Sequence, residues 1–113
     1  MGRFSPNLQN IGLDDKEARI YLSALRLGEA PVSEIAKAVR LNRVTTYEVL
    51  KRLKKRGLAS ETEKQKTKHF SVLGPDRLFQ LVRYNTEELQ KHVKELLFLE
   101  RTSRRAPKVT FLE

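Results

Sequence analysis

The side chains that most often carry catalysis are scarce in this chain. It has no cysteine and only two histidines, His69 and His92, and we find neither histidine in a metal-ligand or catalytic pattern. Asp14 and Asp15 are adjacent carboxylates, but they stand at a predicted helix start, where acidic side chains cap free backbone N–H groups. All five glycines separate predicted elements, so no glycine-rich phosphate loop is present. We therefore expect no enzyme, no cofactor and no metal site.

The charge of the chain favours a polyanionic partner. Its 113 residues carry 23 Lys and Arg against 14 Asp and Glu, a net charge of +9. Nucleic acid is favoured over a membrane, because no segment resembles a signal peptide, a membrane span or an amphipathic anchor. The length and the 39% hydrophobic content suit one small domain, and the absence of cysteine suits a reducing compartment. These features predict a soluble cytoplasmic protein.

The segment after Leu41 has the spacing of an amphipathic helix. Asn42 suits the N-cap, and Gly57 ends the segment. At 3.6 residues per turn, the inner face consists of Thr46, Val49, Leu50 and Leu53. The opposite face consists of Val44, Thr45, Glu48, Lys51, Arg52 and Lys55. This division predicts a helix with one side in the core and a polar, largely basic side exposed.

The exposed face begins with residue types that read base edges in a DNA major groove. Arg43 can donate two parallel hydrogen bonds to guanine, Thr45 can bond a base or touch a thymine methyl, and Val44 can meet a thymine methyl. Glu48 either accepts from cytosine N4 or pairs with Arg52 one turn later. The plain alternative is a solvated helix face with ordinary salt pairs.

A lysine-rich segment, KQKTK at residues 64–68, follows this helix. It lies between two runs of strand-forming residues, 58–61 and 69–72, which predict a β-hairpin. The segment lacks a Gly-containing turn signature, so we expect a loop wider than two residues. Residues 42–68 hold nine Lys and Arg against three acids, which is +6 of the net +9. A basic hairpin of this kind, a wing, binds phosphates by counterion release.

Short helices are predicted to position these residues. They lie at 5–11, 14–27, 33–40 with Ser33 as the cap, and 44–56 with Asn42 as the cap, and Ala30-Pro31-Val32 forms at most a short edge strand. The turn of about three residues that joins the last two helices gives a helix-turn-helix. The residues expected to contact DNA are Ser33, Asn42, Arg43, Val44, Thr45, Tyr47, Glu48, Lys51, Arg52, Lys55, Lys64, Lys66 and Lys68.

The last part of the chain predicts one long helix, since nothing breaks a helix from Pro75 to about Arg104. The fold class is therefore mainly α with a small β-hairpin wing: a winged helix-turn-helix in residues 1–74, a dimerisation helix in 75–104, and a linker or the start of a missing effector domain in 105–113. The alternative is a helix folded back on its own domain. We expect dimer contacts, of coiled-coil type, from Leu78, Val82, Leu89, Val93, Leu96 and Leu97.

Several runs resemble the N-terminal winged helix-turn-helix of TrmB-like transcriptional regulators. They are IGL at 11–13, KEARIYL at 16–22, LGEA at 27–30, VSEIA at 32–36 and TYEVLKRL at 46–53 with Gly57-Leu58. The resemblance covers residues 8–100 and implies a cytoplasmic, largely archaeal, DNA-binding regulator that dimerises through its final helix. It also implies that residues 107–113 are similar to the opening strand of an effector domain. A small-molecule effector is then expected only if a further C-terminal domain exists.

The chain departs from the family pattern at two places in the helix-turn-helix, the turn and the start of the second helix. Arg40 stands where the family usually has Gly, and a left-handed turn there would cost about 1 kcal/mol, so we expect a turn of different shape. Asn42 stands where Pro is frequent. Val44 and Thr45 replace the usual small or basic residues, so the operator sequence cannot be carried over.

The sequence thus predicts a homodimer that binds double-stranded DNA and regulates transcription, with a roughly palindromic site. A protein–protein adaptor is the rival, because winged-helix domains can hold partner chains with the same surfaces. RNA binding is a further rival, but only Tyr47 and Tyr84 are expected outside core or strand positions and so available for base stacking.

Overall fold

The computed structural model describes residues 4–103 and divides the chain into two compact units, which meet in sequence between Leu78 and Phe79. The first unit holds a three-stranded antiparallel sheet of order β1-β3-β2 and four complete helices. The elements are α1 (Ser5–Asn10), α2 (Asp15–Leu27), β1 (Ala30–Pro31), α3 (Val32–Val39), α4 (Arg43–Lys55), β2 (Ala59–Lys64), β3 (Thr67–Val72), α5 (Pro75–Gln90) and α6 (Val93–Arg101). The expected linker or effector strand at 105–113 lies outside the described residues. No helix in the described range is long and apolar enough to cross a membrane.

The core of the first unit is made by the apolar faces of its helices and strand β3. Its largest fully buried side chains include Tyr21, Phe70, Ile35 and Leu50. The Tyr21 hydroxyl donates to the carbonyl oxygen of Leu73 at 2.8 Å, which satisfies its polar end, and burial raises the pKa of Tyr21. This packing fixes α4 and the hairpin on one small body.

Local backbone signals explain where the helices begin. Asp14 accepts from the backbone N–H of Glu17 at 2.7 Å, and Glu17 Oε1 accepts from the Asp14 N–H at 2.9 Å, so the predicted capping box is present. Asn42 caps α4 by accepting from the N–H of Thr45 at 2.7 Å. Ser33 does not cap α3 as expected, because that helix begins at Val32 and its N-cap is Pro31, two residues earlier.

The turn before the α4 cap keeps a left-handed shape despite its arginine. Arg40 has φ 61° and ψ 42°, and the Leu41 N–H donates to Ala36 O at 3.1 Å. The Arg40 N–H donates to Lys37 O at 3.3 Å, which completes a Schellman cap. The expectation of a different turn is therefore wrong, and the chain accepts the strain of a non-glycine residue in this region.

The hairpin turn is tighter than predicted. Strand pairing continues to Lys64 opposite Thr67, so only Gln65 and Lys66 form the turn. Both have positive φ, 50° and 65°, which is the conformation of a two-residue turn matched to the twist of the strands. The expected wider loop is wrong because ladder hydrogen bonds extend the strands almost to the tip.

The C-terminal segment is two helices rather than one. The α-helix ends at Gln90 and resumes at Val93, with His92 outside the helical region at φ −104° and ψ 16°. The His92 N–H bonds to Leu89 O at 3.0 Å, a tighter i−3 contact that closes α5. Glu95 in the first turn of α6 suits the positive end of a new helix. A continuous helix over 75–104 is thus corrected to α5 and α6.

The start of α5 also belongs to the first unit. Leu78 is only 2% exposed and lies in the core of its own chain. It is therefore unavailable to a second copy, and the expectation that Leu78 contributes to a dimer interface is wrong. The first compact unit accordingly extends to Leu78, and the assignment of residues 1–74 to DNA binding and 75–104 to dimerisation stays a prediction.

Candidate nucleic-acid interface

Helix α4 has one buried and one exposed face, as its periodicity predicts. Thr46, Val49, Leu50 and Leu53 are buried, and the Thr46 hydroxyl donates to the Asn42 carbonyl oxygen at 2.9 Å. At the N-terminal end of the helix, Arg43 is exposed and the Val44 side chain is 72% exposed. Thr45 is half-buried beside them. An exposed valine next to an exposed arginine gives this end of α4 both an apolar and a hydrogen-bonding element.

A groove of about 600 Å³ lies between this end of α4 and the wing, and we call it the tip groove. Its lining comprises Pro31, Val32, Ser33, Arg43, Val44, Tyr47, Lys66, Thr67 and Lys68. The start of α3, the start of α4 and the hairpin tip therefore face the same space. Six of the thirteen residues expected to contact DNA line this groove: Ser33, Arg43, Val44, Tyr47, Lys66 and Lys68. Asn42 caps α4 beside the groove, and Thr45 lies in the first turn of that helix. The places of the other five are given below.

Tyr47 connects α4 to the wing. Its ring meets Phe70 of β3 edge-on at a centroid distance of 6.0 Å, and its hydroxyl accepts from Lys68 Nζ at 3.0 Å. The ammonium groups of Lys51 and Lys68 lie 4.9 and 5.4 Å from the ring centroid, within cation–π range. Hydrogen bonding to Tyr47, followed by the nearby Glu61 carboxylate, raises the pKa of Lys68.

The C-terminal half of α4 and its cap residue Arg56 contact acidic residues at the start of α2. Arg52 Nη2 lies 3.2 Å from Oδ2 of the N-cap Asp14, and Arg56 Nη1 lies 3.0 Å from Oε1 of the buried Glu17. Arg52 therefore does not pair with Glu48, which instead lies 3.7 Å from Lys51. The alternative of a Glu48–Arg52 pair is wrong, because the guanidinium reaches the capping carboxylates of another helix.

A second groove, the rear groove, lies between this half of α4 and β2 and has a volume of about 480 Å³. Its lining comprises Glu48, Lys51, Arg52, Lys54, Lys55 and Glu61. Lys54 Nζ donates to Glu61 Oε1 at 3.0 Å, and Lys68 Nζ lies 3.5 Å from Glu61 Oε2. The hydrogen bond from Lys54 is the main reason that the pKa of Glu61 lies below its ordinary value.

Most of the positive charge in this region is paired with carboxylates. Lys64 Nζ donates to Glu29 Oε1 at 2.7 Å, and this bond, with a second from Thr62, lowers the pKa of Glu29. Six of the nine cations in 42–68 have a carboxylate within 4.0 Å: Lys51, Arg52, Lys54, Arg56, Lys64 and Lys68. Within residues 4–103, Arg43, Lys55 and Lys66 have no ion pair.

Sequence reasoning missed the acids that hold these cations. Glu17, Glu29 and Glu61 contact lysines or arginines up to 39 residues away, and no short-range spacing signals such pairs. For Glu61 a partial signal existed, because its strand pairs with β3 and places Lys68 diagonally across from it.

The histidines lie apart from this interface chemistry. His69 Nδ1 lies 3.1 Å from Thr67 O, and His92 Nδ1 lies 2.7 Å from Glu95 Oε1. The sequence interpretation overlooked Glu95, a possible ligand three residues after His92. In the part of the chain that the structure describes, no group of three or more metal-ligating side chains occurs.

The second unit carries an exposed apolar surface. Of the residues expected at a dimer interface, Val82 is half-buried and Leu89, Val93, Leu96 and Leu97 are exposed, while no residue of α6 is buried. Phe98 and Leu99 are also exposed, at 63% and 64%. Helices with this much exposed apolar side chain are typical of segments that pack against another chain.

The sequence matches the family described as sugar-specific transcriptional regulator TrmB over residues 8–76. The chain belongs to the TrmB family. The match runs from Leu8 in α1 to the first residues of α5 and includes the residues of both grooves, and membership in this family makes the chain a DNA-binding transcriptional regulator. The expected resemblance and the winged helix-turn-helix fold are both confirmed.

Individual relatives agree with TrmB membership. Uncharacterized protein MJ1082 of Methanocaldococcus jannaschii is 30% identical over 99 residues, which cover 84% of this chain and 82% of that protein. A possible transcriptional regulator from Methanosarcina mazei Go1 superimposes with a TM-score of 0.66 at 9% identity, over 81% of this chain and 82% of that one. The archaeal chromatin protein TrmBL2 superimposes with a TM-score of 0.71 at 24% identity, over 96% of this chain but 48% of that one. The two structural likenesses show the fold.

Proposed function

We propose that this TrmB-family chain reads a specific double-stranded DNA sequence, with the N-terminal half of α4 in the major groove and the wing on the flanking backbone. The observation that supports the proposal is the tip groove, where Arg43 and Val44 face the same space as Lys66 and Lys68. A reading helix and a phosphate-binding hairpin must share one surface to contact one duplex.

Base reading is assigned to the start of α4. Arg43 has no ion pair within the described residues, so its guanidinium is available for a bidentate contact with guanine. Val44 is exposed for a thymine methyl, and Thr45 lies beside it. Glu48 lies 3.7 Å from Lys51, a weak exposed pair that leaves the carboxylate able to accept from cytosine N4.

Phosphate binding is assigned first to the unpaired cations. Lys55 and Lys66 carry no carboxylate partner among residues 4–103 and keep their full charge for the backbone. Ser33 at the start of α3 and Asn42 and Tyr47 beside the groove supply polar contacts that position the duplex. The paired cations bind phosphates only when a phosphate displaces the carboxylate that holds them. These are Lys51, Arg52, Lys64 and Lys68.

We also propose that the protein is a homodimer that acts in the cytoplasm on a roughly palindromic site. Support comes from the exposed apolar residues of α5 and α6 in the second unit, among them Leu89, Val93, Leu96 and Leu97. Sedimentation at micromolar concentration should give the mass of two chains, and Leu96→Asp should give the mass of one. Sedimentation of the unaltered chain as a monomer would contradict the symmetric arrangement. A small-molecule effector is proposed only for a form with a further C-terminal domain.

Selection of bound sequences from a random duplex pool tests the proposed reading. We expect one enriched motif with two related halves. Affinity for that duplex should fall about 10²-fold between 50 and 200 mM salt, if Lys55 and Lys66 of each of two copies contact phosphates. Affinity that scarcely changes with salt, together with no enriched motif, would favour the protein–protein adaptor instead.

A further inference from the structure

Glu61 is the only residue within 4–103 whose carboxylate contacts a cation of α4 and a cation of the wing, through different oxygens. It lies on β2 opposite Phe70, and its side chain is 16% exposed. Oε1 accepts from Lys54 Nζ at 3.0 Å, and Oε2 lies 3.5 Å from Lys68 Nζ. One negative charge thus offsets two positive charges on different elements.

The two lysines belong to the two grooves of the candidate interface. Lys54 lines the rear groove, and Lys68 lines the tip groove. Their side chains are each 52% exposed, so phosphates can reach both ammonium groups. Lys54 was not among the residues expected from sequence to contact DNA.

We propose that Lys54 and Lys68 are a latent pair of phosphate contacts, and that Glu61 limits DNA affinity by competing with phosphates for both. This inference rests on the proposed DNA binding. The lysine side chains are each 52% exposed, so water and salt screen their pairs with Glu61, and a polyanion with its own array of acceptors can compete with the carboxylate. The displaced carboxylate then stays beside the phosphates and repels them. Glu61 therefore opposes binding in both ways.

The competition acts without regard to sequence, because phosphate contacts carry no base information. Removing the carboxylate should raise affinity for cognate and random duplexes by similar factors. It should also steepen the dependence on salt, since two more cations per chain would then release counterions. A carboxylate that merely positioned the lysines would give the reverse, a loss of affinity on removal.

The test is the isosteric Glu61→Gln change, measured by fluorescence anisotropy on cognate and random duplexes at several salt concentrations. The matched control is Glu63→Gln, which removes the same charge from the same strand, where residue 63 makes no ion pair among the described residues. We expect Glu61→Gln to tighten binding about 3- to 10-fold more than Glu63→Gln, with a salt slope steeper by up to about 2 per chain.

A double-variant cycle identifies the lysines. In a chain that carries Lys54→Ala and Lys68→Ala, Glu61→Gln should give no more gain than Glu63→Gln. Two results would overturn the inference and leave DNA binding intact. One is an equal effect of Glu61→Gln and Glu63→Gln in a chain that keeps both lysines, and the other is weaker DNA binding by the Glu61→Gln variant. Failure of the unaltered chain to bind any duplex would instead overturn the proposed function, and this inference with it.

Discussion

The hydroxyl of Tyr47 on α4 accepts a hydrogen bond from Lys68 Nζ on the wing at 3.0 Å. The two residues are 21 positions apart in sequence, and their contact connects the outer edge of α4 to the hairpin. The Tyr47 ring also rests edge-on against Phe70 in the core. The angle between helix and wing is therefore fixed by side-chain contacts as well as by the sheet.

Tyr47→Phe should lower the pKa of Lys68 toward its ordinary value of 10.5, because the main cause of its elevation is the hydrogen bond to the hydroxyl. The measurement is an NMR titration of the Lys68 side-chain carbon next to Nζ. Tyr84→Phe, a change at an exposed tyrosine of α5, is the control and should leave the titration unchanged. An identical titration in the Tyr47 variant would mean that the wing lysine does not keep this contact in solution.

Arg43→Ala and Lys66→Ala should separate base reading from phosphate binding. Loss of Arg43 should cost about 1–3 kcal/mol on the cognate duplex and much less on random duplex. Loss of Lys66 should weaken binding to both duplexes alike and reduce the salt slope by about 1 per chain. Equal losses on the two duplexes for Arg43→Ala would argue against base reading at this position.

Arg40→Gly should stabilise the domain by about 1 kcal/mol, since glycine relieves the left-handed strain at φ 61°. Urea unfolding provides the measurement. Arg40→Ala is the control, because it removes the charge and keeps the strain, and it should change stability little. A destabilised glycine variant would show that the Arg40 side chain makes a stabilising contact larger than the strain.

Glu29→Gln should destabilise the fold near neutral pH but not in acid. Hydrogen bonds from Lys64 and Thr62 lower the pKa of Glu29 in the folded protein. The stability that these bonds give the fold is therefore fully present at pH values above 4.5, the ordinary pKa of a glutamate. It is lost as the pH falls through the lower folded-state pKa. Urea midpoints of the two proteins, measured from pH 7 downward, should therefore converge in acid. A difference that stays constant with pH would point to packing instead of charge.

The buried and exposed faces of α4 were predictable, because the 3.6-residue spacing and the residues that start and end the helix all lie within one segment. The Asp14 capping box was predictable because it too is local: all of its atoms lie within four residues. Contacts that depend on tertiary placement were not predictable. Arg52 reaches Asp14 across 38 residues, and its partner was therefore misassigned to a neighbour on its own helix.

The errors in backbone geometry have the same origin. Arg40, Gln65 and Lys66 adopt positive φ without glycine, because cap and ladder hydrogen bonds outweigh a local cost of about 1–2 kcal/mol at each residue. The end of α5 at Gln90 has neither Pro nor Gly to mark it. Leu78 matched the apolar repeat of the following helix, and only the folded core shows that it packs in the first unit.

Cleavage by a tethered reagent tests the shared surface of helix and wing most directly. The chain has no cysteine, so Thr45→Cys or Lys66→Cys alone can carry an iron chelate that cuts nearby DNA. Asn7→Cys, an exposed position on α1 outside both grooves, is the control. On the selected duplex, we predict focused cuts from positions 45 and 66 within about half a helical turn, roughly 5 base pairs, of each other. Cuts from only one of these positions, or cuts no more focused than those from position 7, would contradict the account.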